Sequence, residues 1–135
     1  MTSKNFGTLS TGENIEQHTL TNSAGASLEV ITYGGIITAL RMPDANGTLA
    51  DVVLGYDNLE AYVARHPYFG AIIGRIAGRV SGGRLSLGGQ EHQLVCNDKP
   101  NHLHGGLTGL DKRIWNATPV IRSDGAESLR HTYHS

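Results

Sequence analysis

The sequence has 135 residues, the size of one domain, and its 18 glycines and 17% charged residues set it apart from an average globular protein. Eleven basic and twelve acidic side chains give a formal net charge of -1 without a run of like charge, which disfavours a nucleic-acid partner. The single cysteine, Cys96, can form no internal disulfide, and no stretch approaches the ~18 apolar residues of a membrane span. We therefore expect a cytoplasmic protein that makes no contact with a membrane.

The first segment typical of β-structure covers residues 28–42, which are rich in β-branched side chains. Gly34 and Gly35 interrupt this segment, so it predicts two strands joined at a bend. Residues 43–47 contain Pro, Asp and Asn-Gly, the residues of tight turns, and strand-forming residues follow at 51–54. This order predicts a β-hairpin.

The middle of the chain predicts one helical turn at residues 57–62, with Asp57 as its N-cap and Glu60 three residues later. A second hairpin is predicted around Gly88 and Gly89, from strands at 84–87 and 92–95. Residues 114–121 and 129–133 are further predicted strands.

The fold class follows from the absence of a long helical pattern. No segment shows the 10 to 15 residues of 3.6-residue periodicity that a βαβ crossover helix needs. The sequence therefore predicts an antiparallel all-β fold of the sandwich or barrel type.

The densest polar cluster lies at residues 97–106 and contains two histidines. If Leu103 points into the core, His102 and His104 share the opposite face of an extended segment, and the glycines that follow admit a ligand close to the backbone. An imidazole at that place can hydrogen-bond a sugar oxygen or transfer a proton near neutral pH. Two alternatives stay open: histidines that are merely solvated or bonded to backbone, and a His-x-His metal pair, for which no third ligand is indicated.

A second candidate cluster places Arg75 and Arg79 in a glycine-rich apolar run. Guanidinium groups suit vicinal hydroxyls or carboxylates, but they also pair with buried acids to position strands, and for Arg75 we favour that structural role. Trp115 is either a core residue or a platform for a sugar ring. The aspartates are expected to act as turn caps; they are Asp51, Asp57, Asp98 and Asp111. No cofactor-binding motif is present.

Read in order, six segments resemble the aldose 1-epimerase family, and the resemblance covers nearly everything from about residue 15 onward. They are Leu-Thr-Asn-Ser-Ala-Gly at 20–25, Tyr-Gly-Gly-Ile-Ile at 33–37, Asp-Val-Val-Leu-Gly-Tyr-Asp at 51–57, Tyr-Phe-Gly-Ala-Ile-Ile-Gly-Arg at 68–75, Asn-His-Leu-His-Gly-Gly at 101–106 and Gly-Leu-Asp-Lys-Arg-Ile-Trp at 109–115. The family fold is a large antiparallel β-sandwich, the galactose mutarotase-like supersandwich, with a sugar cleft on its concave face. The resemblance therefore implies that this chain is the N-terminal part of such a sandwich.

The resemblance also implies roles for three residues. His104 matches the catalytic histidine of the Leu-His-Gly-Gly motif, which hydrogen-bonds the sugar near its ring oxygen. Arg79 matches the substrate-binding arginine that holds the sugar hydroxyls. Gly78 stands at a substrate-binding position where the family usually has Asn, so one polar side chain is absent from the cleft. The family needs no metal or organic cofactor.

The function implied is interconversion of the α and β anomers of hexoses such as galactose or glucose. Family chains run well beyond twice this length, and their second active-site histidine, a sugar-binding Asp and the general-base Glu lie in segments that would follow Ser135. We therefore expect residues 1–135 to form a single partial domain, truncated at its C-terminal end. Such a domain is expected to be inactive alone and to self-associate through uncovered strands. The alternative function is a carbohydrate-binding or interaction module without catalysis.

Overall fold

The computed structural model describes residues 1–64 and 67–135. Its first five strands form one antiparallel sheet, in which neighbours in the sequence are neighbours in space. They are β1 (Thr2–Thr8), β2 (Asn14–Thr21), β3 (Ser27–Ile31), β4 (Ile37–Pro43) and β5 (Leu49–Asp51). The two strands expected within residues 28–42 are confirmed as β3 and β4, whereas β1 and β2 were not predicted because their polar residues hide the strand pattern.

The bend between β3 and β4 uses the predicted glycine pair. Gly34 and Gly35 have φ values of 65° and 56°, in the left-handed region that favours glycine. A Cβ atom at Gly34 would collide with the backbone carbonyl of Asp111. This bend therefore brings the sheet into backbone contact with a segment almost eighty residues further along the chain.

The predicted β4–β5 hairpin is confirmed, and its turn is closed by a side chain. The Asp44 Oδ1 atom accepts hydrogen bonds from the backbone N–H groups of Asn46 (2.8 Å) and Thr48 (2.9 Å). Gly47 takes a φ of 83°. Strand β5 ends at Asp51, so most of the strand expected at residues 51–54 is absent.

The α-helix found among residues 1–64 and 67–135, α1 (Leu59–Val63), begins one residue later than expected. Asn58, and not Asp57, is its N-cap, because the Asn58 side chain accepts a hydrogen bond from the N–H of Ala61 at 3.0 Å. The helix buries Leu59 and Tyr62. These two side chains complete a core with Ile15, Ile31, Tyr33 and Ile36.

After α1, the described part of the chain, residues 67–135, contains three two-stranded antiparallel pairs and two short 3-10 helices. The strands are β6 (Arg79–Val80), β7 (Arg84–Leu87), β8 (Gln90–Gln93), β9 (His102–Leu103), β10 (Asn116–Ile121) and β11 (Glu127–Thr132); the 3-10 helices are Ser81–Gly83 and Leu110–Lys112. The predicted hairpin around Gly88 and Gly89 is confirmed as β7–β8, and the two predicted C-terminal strands as β10 and β11. The antiparallel all-β class is thus confirmed. No helix of the described residues has the length and apolar character needed to cross a membrane.

The β10–β11 hairpin lies against one face of the five-stranded sheet. The N-terminal amino group contacts the Glu127 carboxylate at 2.5 Å. A cavity of about 570 Å³ separates Leu28 and Leu40 of the sheet from Ala126 and Glu127 of the hairpin. The hairpin therefore covers the sheet face incompletely.

Two histidines lie at this contact. His18 of β2 is 5% exposed, and its Nε2 atom and that of His131 in β11 are buried with no hydrogen-bond partner among the described residues. The Glu16 carboxylate lies 3.4 Å from the His18 Nε2 atom. Burial and, secondarily, the neighbouring His18 lower the pKa of His131 below its ordinary value of 6.5.

We expect the stability of the folded chain to fall as the pH is lowered from neutral through 6.5, the ordinary pKa of histidine. Because the pKa of His131 is lower in the folded state than in the unfolded state, this stabilisation is complete above the unfolded pKa and is lost as the pH falls through it towards the folded pKa. His131→Leu should reduce the pH dependence of the free energy of unfolding, measured by urea denaturation. His92→Leu, at an exposed position of β8, is the control and should keep the wild-type pH dependence. Equal pH dependence in the wild type and His131→Leu would contradict the assignment.

Candidate functional site

Gly78, Arg79 and His104, the residues to which the family resemblance gives roles, meet where β6 pairs with β9. Arg79 lies opposite Leu103, and Val80 lies opposite His102, in an antiparallel pair. This pairing places Gly78, just before β6, beside His104, just after β9. The structure therefore brings Gly78, Arg79 and His104 together at one end of a two-residue ladder.

His104 is held by two hydrogen bonds to the backbone of Gly78. The His104 backbone N–H donates to the Gly78 carbonyl at 3.1 Å. The Gly78 N–H donates to the His104 Nδ1 atom, also at 3.1 Å. Because Nδ1 accepts, the proton of the neutral ring resides on Nε2. The site thus presents an imidazole whose Nε2–H group is a hydrogen-bond donor.

An aromatic ring fixes the plane of the His104 imidazole. The Tyr68 and His104 ring centroids lie 4.8 Å apart at an angle of 64°, an edge-to-face contact. Both residues adopt left-handed backbone conformations, with φ of 64° at Tyr68 and 52° at His104. Such values are strained for residues other than glycine, and strain of this kind clusters at functional sites.

Arg79 is oriented by an acidic residue. Its Nε–H group donates to the Asp98 Oδ2 atom at 2.6 Å. The side chains are 60% and 40% exposed, so the ion pair adds little to stability. It leaves the four terminal N–H groups of the guanidinium for other partners. Asp98 thus orients Arg79 and is more than the turn cap expected from the sequence.

Gly78 leaves open space at the site. Its φ is 81°, and a Cβ atom there would meet no atom within 4 Å. The packing around position 78 would therefore allow a side chain there.

The expected arrangement of the two histidines is wrong. His102 is buried, at 5% exposure, and its Nδ1 atom lies 2.8 Å from the Val95 carbonyl oxygen. Leu103 is half-buried and lines a surface cavity, and does not point into the core. The left-handed conformation of His104 ends the two-residue alternation on which the expectation depended. His102 is a structural histidine bonded to backbone, and His104 alone belongs to the site.

The glycines after His104 allow the protein to pack against itself. A Cβ atom at Gly105 would collide with the Gly74 carbonyl oxygen, and one at Gly106 would lie 3.0 Å from the His102 ring. Both glycines also line surface cavities, so the expectation that they admit a ligand to the backbone stays a prediction.

A cavity of about 760 Å³ lies next to the site. Its wall includes Tyr68, Asp98, Leu103 and Lys112. Tyr68 contacts His104, and Asp98 contacts Arg79. His104 and Arg79 do not line the cavity themselves, and border it through these two contacts.

The sequence did not reveal the importance of Asp111 and Lys112. Asp111 was expected to be a turn cap, but it is fully buried and its Oδ2 atom accepts a hydrogen bond from the Lys112 Nζ at 2.7 Å. Burial and, secondarily, the negative charge of Asp111 raise the pKa of Tyr33. Only the family-like segment at 109–115 contained a signal for these residues. By contrast, Asp51 is a turn cap as expected and accepts from the N–H groups of Leu40 and Val53.

Two other candidates have structural surroundings. Arg75 is exposed and has no acidic partner in residues 1–64 and 67–135, so the expectation of a buried acid is wrong. The Trp115 Nε1–H donates to the Leu110 carbonyl at 3.1 Å, and the ring packs 5.7 Å from Tyr133. In the part of the chain that the structure describes, no group of three or more His, Cys, Asp and Glu side chains is placed to hold a metal ion.

Comparison with known proteins agrees with this architecture. The family model described as "Aldose 1-epimerase" matches residues 16–135. Galactose mutarotases of Mus musculus and Bos taurus are each 42% identical to this chain over 125 residues, which is 93% of the chain. The chain spans 36% of the length of these relatives.

A solved structure has the same fold. The galactose 1-epimerase of Lactobacillus acidophilus superposes with a TM-score of 0.74 at 30% sequence identity. The match covers 90% of this chain and 35% of that protein. The expected fold, the N-terminal part of a galactose mutarotase-like sandwich, is thereby confirmed. The extent of the family match and the shared strand architecture show that this chain belongs to the aldose 1-epimerase family.

Proposed function

We propose that this protein takes part in mutarotation, the interconversion of the α and β anomers of a hexose such as galactose or glucose, in the cytoplasm. The observation that carries the proposal is the hydrogen bond from the Gly78 N–H to His104 Nδ1, because it leaves Nε2–H as a donor. Arg79, oriented by Asp98, supplies a fork of donors that suits vicinal hydroxyls. Family membership supports the reaction class.

The reaction opens and recloses the sugar ring. A base removes the proton of the O1 hydroxyl, the electron pair forms the C1=O bond, and the C1–O5 bond breaks as O5 gains a proton. Rotation about the C1–C2 bond and the reverse steps then give the other anomer. We propose that His104 donates a hydrogen bond from Nε2–H near the ring oxygen and stabilises the charge that develops there.

Ring opening also needs a base on the side of O1. Of the carboxylates near the site, Asp98 is paired with Arg79, and Asp111 is fully buried beside Lys112. Neither is placed to act as that base. We therefore propose that the 135 residues bind the sugar and supply the donor side of the reaction, and that the chain alone leaves the rate of mutarotation unchanged.

A chemical-rescue experiment tests this function. Mutarotation of freshly dissolved α-D-galactose is followed by polarimetry with the chain, with acetate, and with both together. Because a small carboxylate replaces a missing general base, we expect the chain and acetate together to exceed the sum of their separate rates. His104→Gln should remove most of this excess, on the order of 10²-fold if the donor acts in proton transfer.

The alternative function, a carbohydrate-binding module without catalysis, predicts a different result in the same experiment. Calorimetric titration would then detect galactose binding, while acetate would restore no rate beyond its own contribution. Absence of both binding and rescue would contradict both functions. Acceleration by the chain without acetate would show that the base is already present.

Arg79→Lys should weaken galactose binding by about ten-fold, measured by calorimetry. Lysine retains the charge but lacks the planar fork of donors, and one ammonium cannot both bond Asp98 and span two hydroxyls. Arg84→Lys, at an exposed position of β7, is the matched control and should bind galactose as the wild type does. Equal affinity of the two variants would exclude Arg79 from the binding site.

Gly78→Asn should strengthen galactose binding several-fold, because it restores the polar side chain typical of the family at a position with open space. Asn tolerates the left-handed conformation better than other residues with a side chain. Gly78→Ala is the control: it should lower the free energy of unfolding by about 1 kcal/mol without improving affinity. If Asn and Ala change the affinity equally, position 78 does not contact the sugar.

A further inference from the structure

A buried carboxylate anchors the side of the site that faces Tyr68. Asp111 lies in the 3-10 helix Leu110–Lys112 and is fully buried. Its Oδ2 atom contacts Lys112 Nζ at 2.7 Å, and a Cβ atom at Gly109 would lie 2.5 Å from Oδ1. A buried charge needs a partner, and the nearest one is the Lys112 ammonium group. Asp111 therefore holds Lys112 in a defined position.

The anchored ammonium group faces an aromatic ring. Lys112 Nζ lies 5.5 Å from the centroid of the Tyr68 ring, within the range of a cation–π contact. The Lys112 side chain is 37% exposed, and Lys112 and Tyr68 both line the cavity next to the site. The ammonium group thus lies over the Tyr68 ring, the same ring that makes the edge-to-face contact with the His104 imidazole.

The Tyr68 ring in turn contacts His104, at 4.8 Å and 64°. Asp111, Lys112, Tyr68 and His104 therefore form one continuous series of contacts that ends at the imidazole. The Gly78 hydrogen bond selects the protonated nitrogen of His104, but a single hydrogen bond leaves the ring free to tilt about it. The Tyr68 contact removes that freedom.

We infer that Lys112 is a positioning residue for His104: paired with the buried Asp111, it holds the Tyr68 ring in the place that aims the His104 Nε2–H group at the sugar. The role of this aim in sugar recognition rests on the function proposed above. The positioning itself is a property of the folded chain and is measurable without sugar.

The test uses the ring resonances of His104 in the NMR spectrum, assigned with His104→Gln. The current of the Tyr68 ring displaces these resonances, so they report the distance and angle between the two rings. In Lys112→Met we expect this displacement to be lost. The ¹⁵N chemical shifts of the His104 ring should still show the proton on Nε2, because the hydrogen bond from the Gly78 N–H remains. Lys112→Arg should retain the displacement, since it keeps the charge, and Lys99→Met is the control for removal of an exposed lysine.

Lys112→Met leaves Asp111 buried without its partner, which destabilises the folded chain. The double variant Asp111→Asn with Lys112→Met removes both charges and should show the same loss of displacement in a folded chain. If His104 resonances stay at their wild-type positions in either folded variant, the ion pair stabilises only its own turn, and the inference is overturned.

Galactose titrations separate this inference from the proposed function. We expect folded Lys112 variants without the charge to bind galactose about ten-fold more weakly, because an imidazole that is no longer pre-oriented must be ordered on binding. If the wild type binds no galactose while the His104 displacement still depends on Lys112, the proposed function fails and the positioning role stands. If the wild type binds galactose and the His104 displacement is independent of Lys112, the proposed function stands and the positioning role of Lys112 fails.

Discussion

Gly34 makes two of the backbone hydrogen bonds that join the N-terminal sheet to the later part of this chain. Its N–H group donates to the Arg113 carbonyl at 2.7 Å, and its own carbonyl accepts from the Ile72 N–H at 3.0 Å. Any side chain at this position would collide with the Asp111 carbonyl. The five-stranded sheet is therefore bonded at this bend to both segments from which the site is built, one leading from Tyr68 to Gly78 and one from His102 to Arg113.

Close backbone contacts of this kind recur around the site and explain part of the high glycine content. The Leu110 N–H donates to the Gly74 carbonyl at 3.1 Å, and Gly105 packs directly on the same carbonyl. Side chains at these positions would hold the loops apart. The loops that carry His104 and Arg79 are thus held by backbone hydrogen bonds, which define the geometry of a site made of irregular structure more closely than apolar side chains would.

The site combines the imidazole of His104, whose tautomer is defined, with the guanidinium of Arg79, whose orientation is defined. His104 owes its tautomer to Gly78, and Arg79 owes its direction to Asp98. Both of these contacts join the two chain segments that are paired through β6 and β9. Under the proposed function, a sugar bound between these groups would meet donors on the side of its ring oxygen and hydroxyls.

Much of the strand architecture was predictable because turn chemistry is local. Asp44 and Gly47 close their hairpin with contacts that span four residues, and the glycines at 34–35 and 88–89 have the left-handed conformations that their sequence context indicates. The sequence pattern does not reveal the strands at the N-terminus, because the adjacent residues Gln17 and His18 point to opposite faces of β2 and both are buried although they are polar. Periodicity of hydrophobic residues cannot detect a strand whose buried face is partly polar.

Local sequence was enough to predict the hairpin turns, the antiparallel strand class and, through ordered family motifs, the three residues that meet at the site. The burial of His102, the Nε2–H tautomer of His104 and the pairing of Asp111 with Lys112 beside Tyr68 became apparent from the folded chain alone. The difference arises from the range of the interactions. A turn depends on the conformations of four neighbouring residues, whereas the bond from Gly78 to His104 joins residues 26 apart, and burial of Asp111 depends on a sheet bend 77 residues before it. Such contacts exist only once the whole fold has placed the segments together.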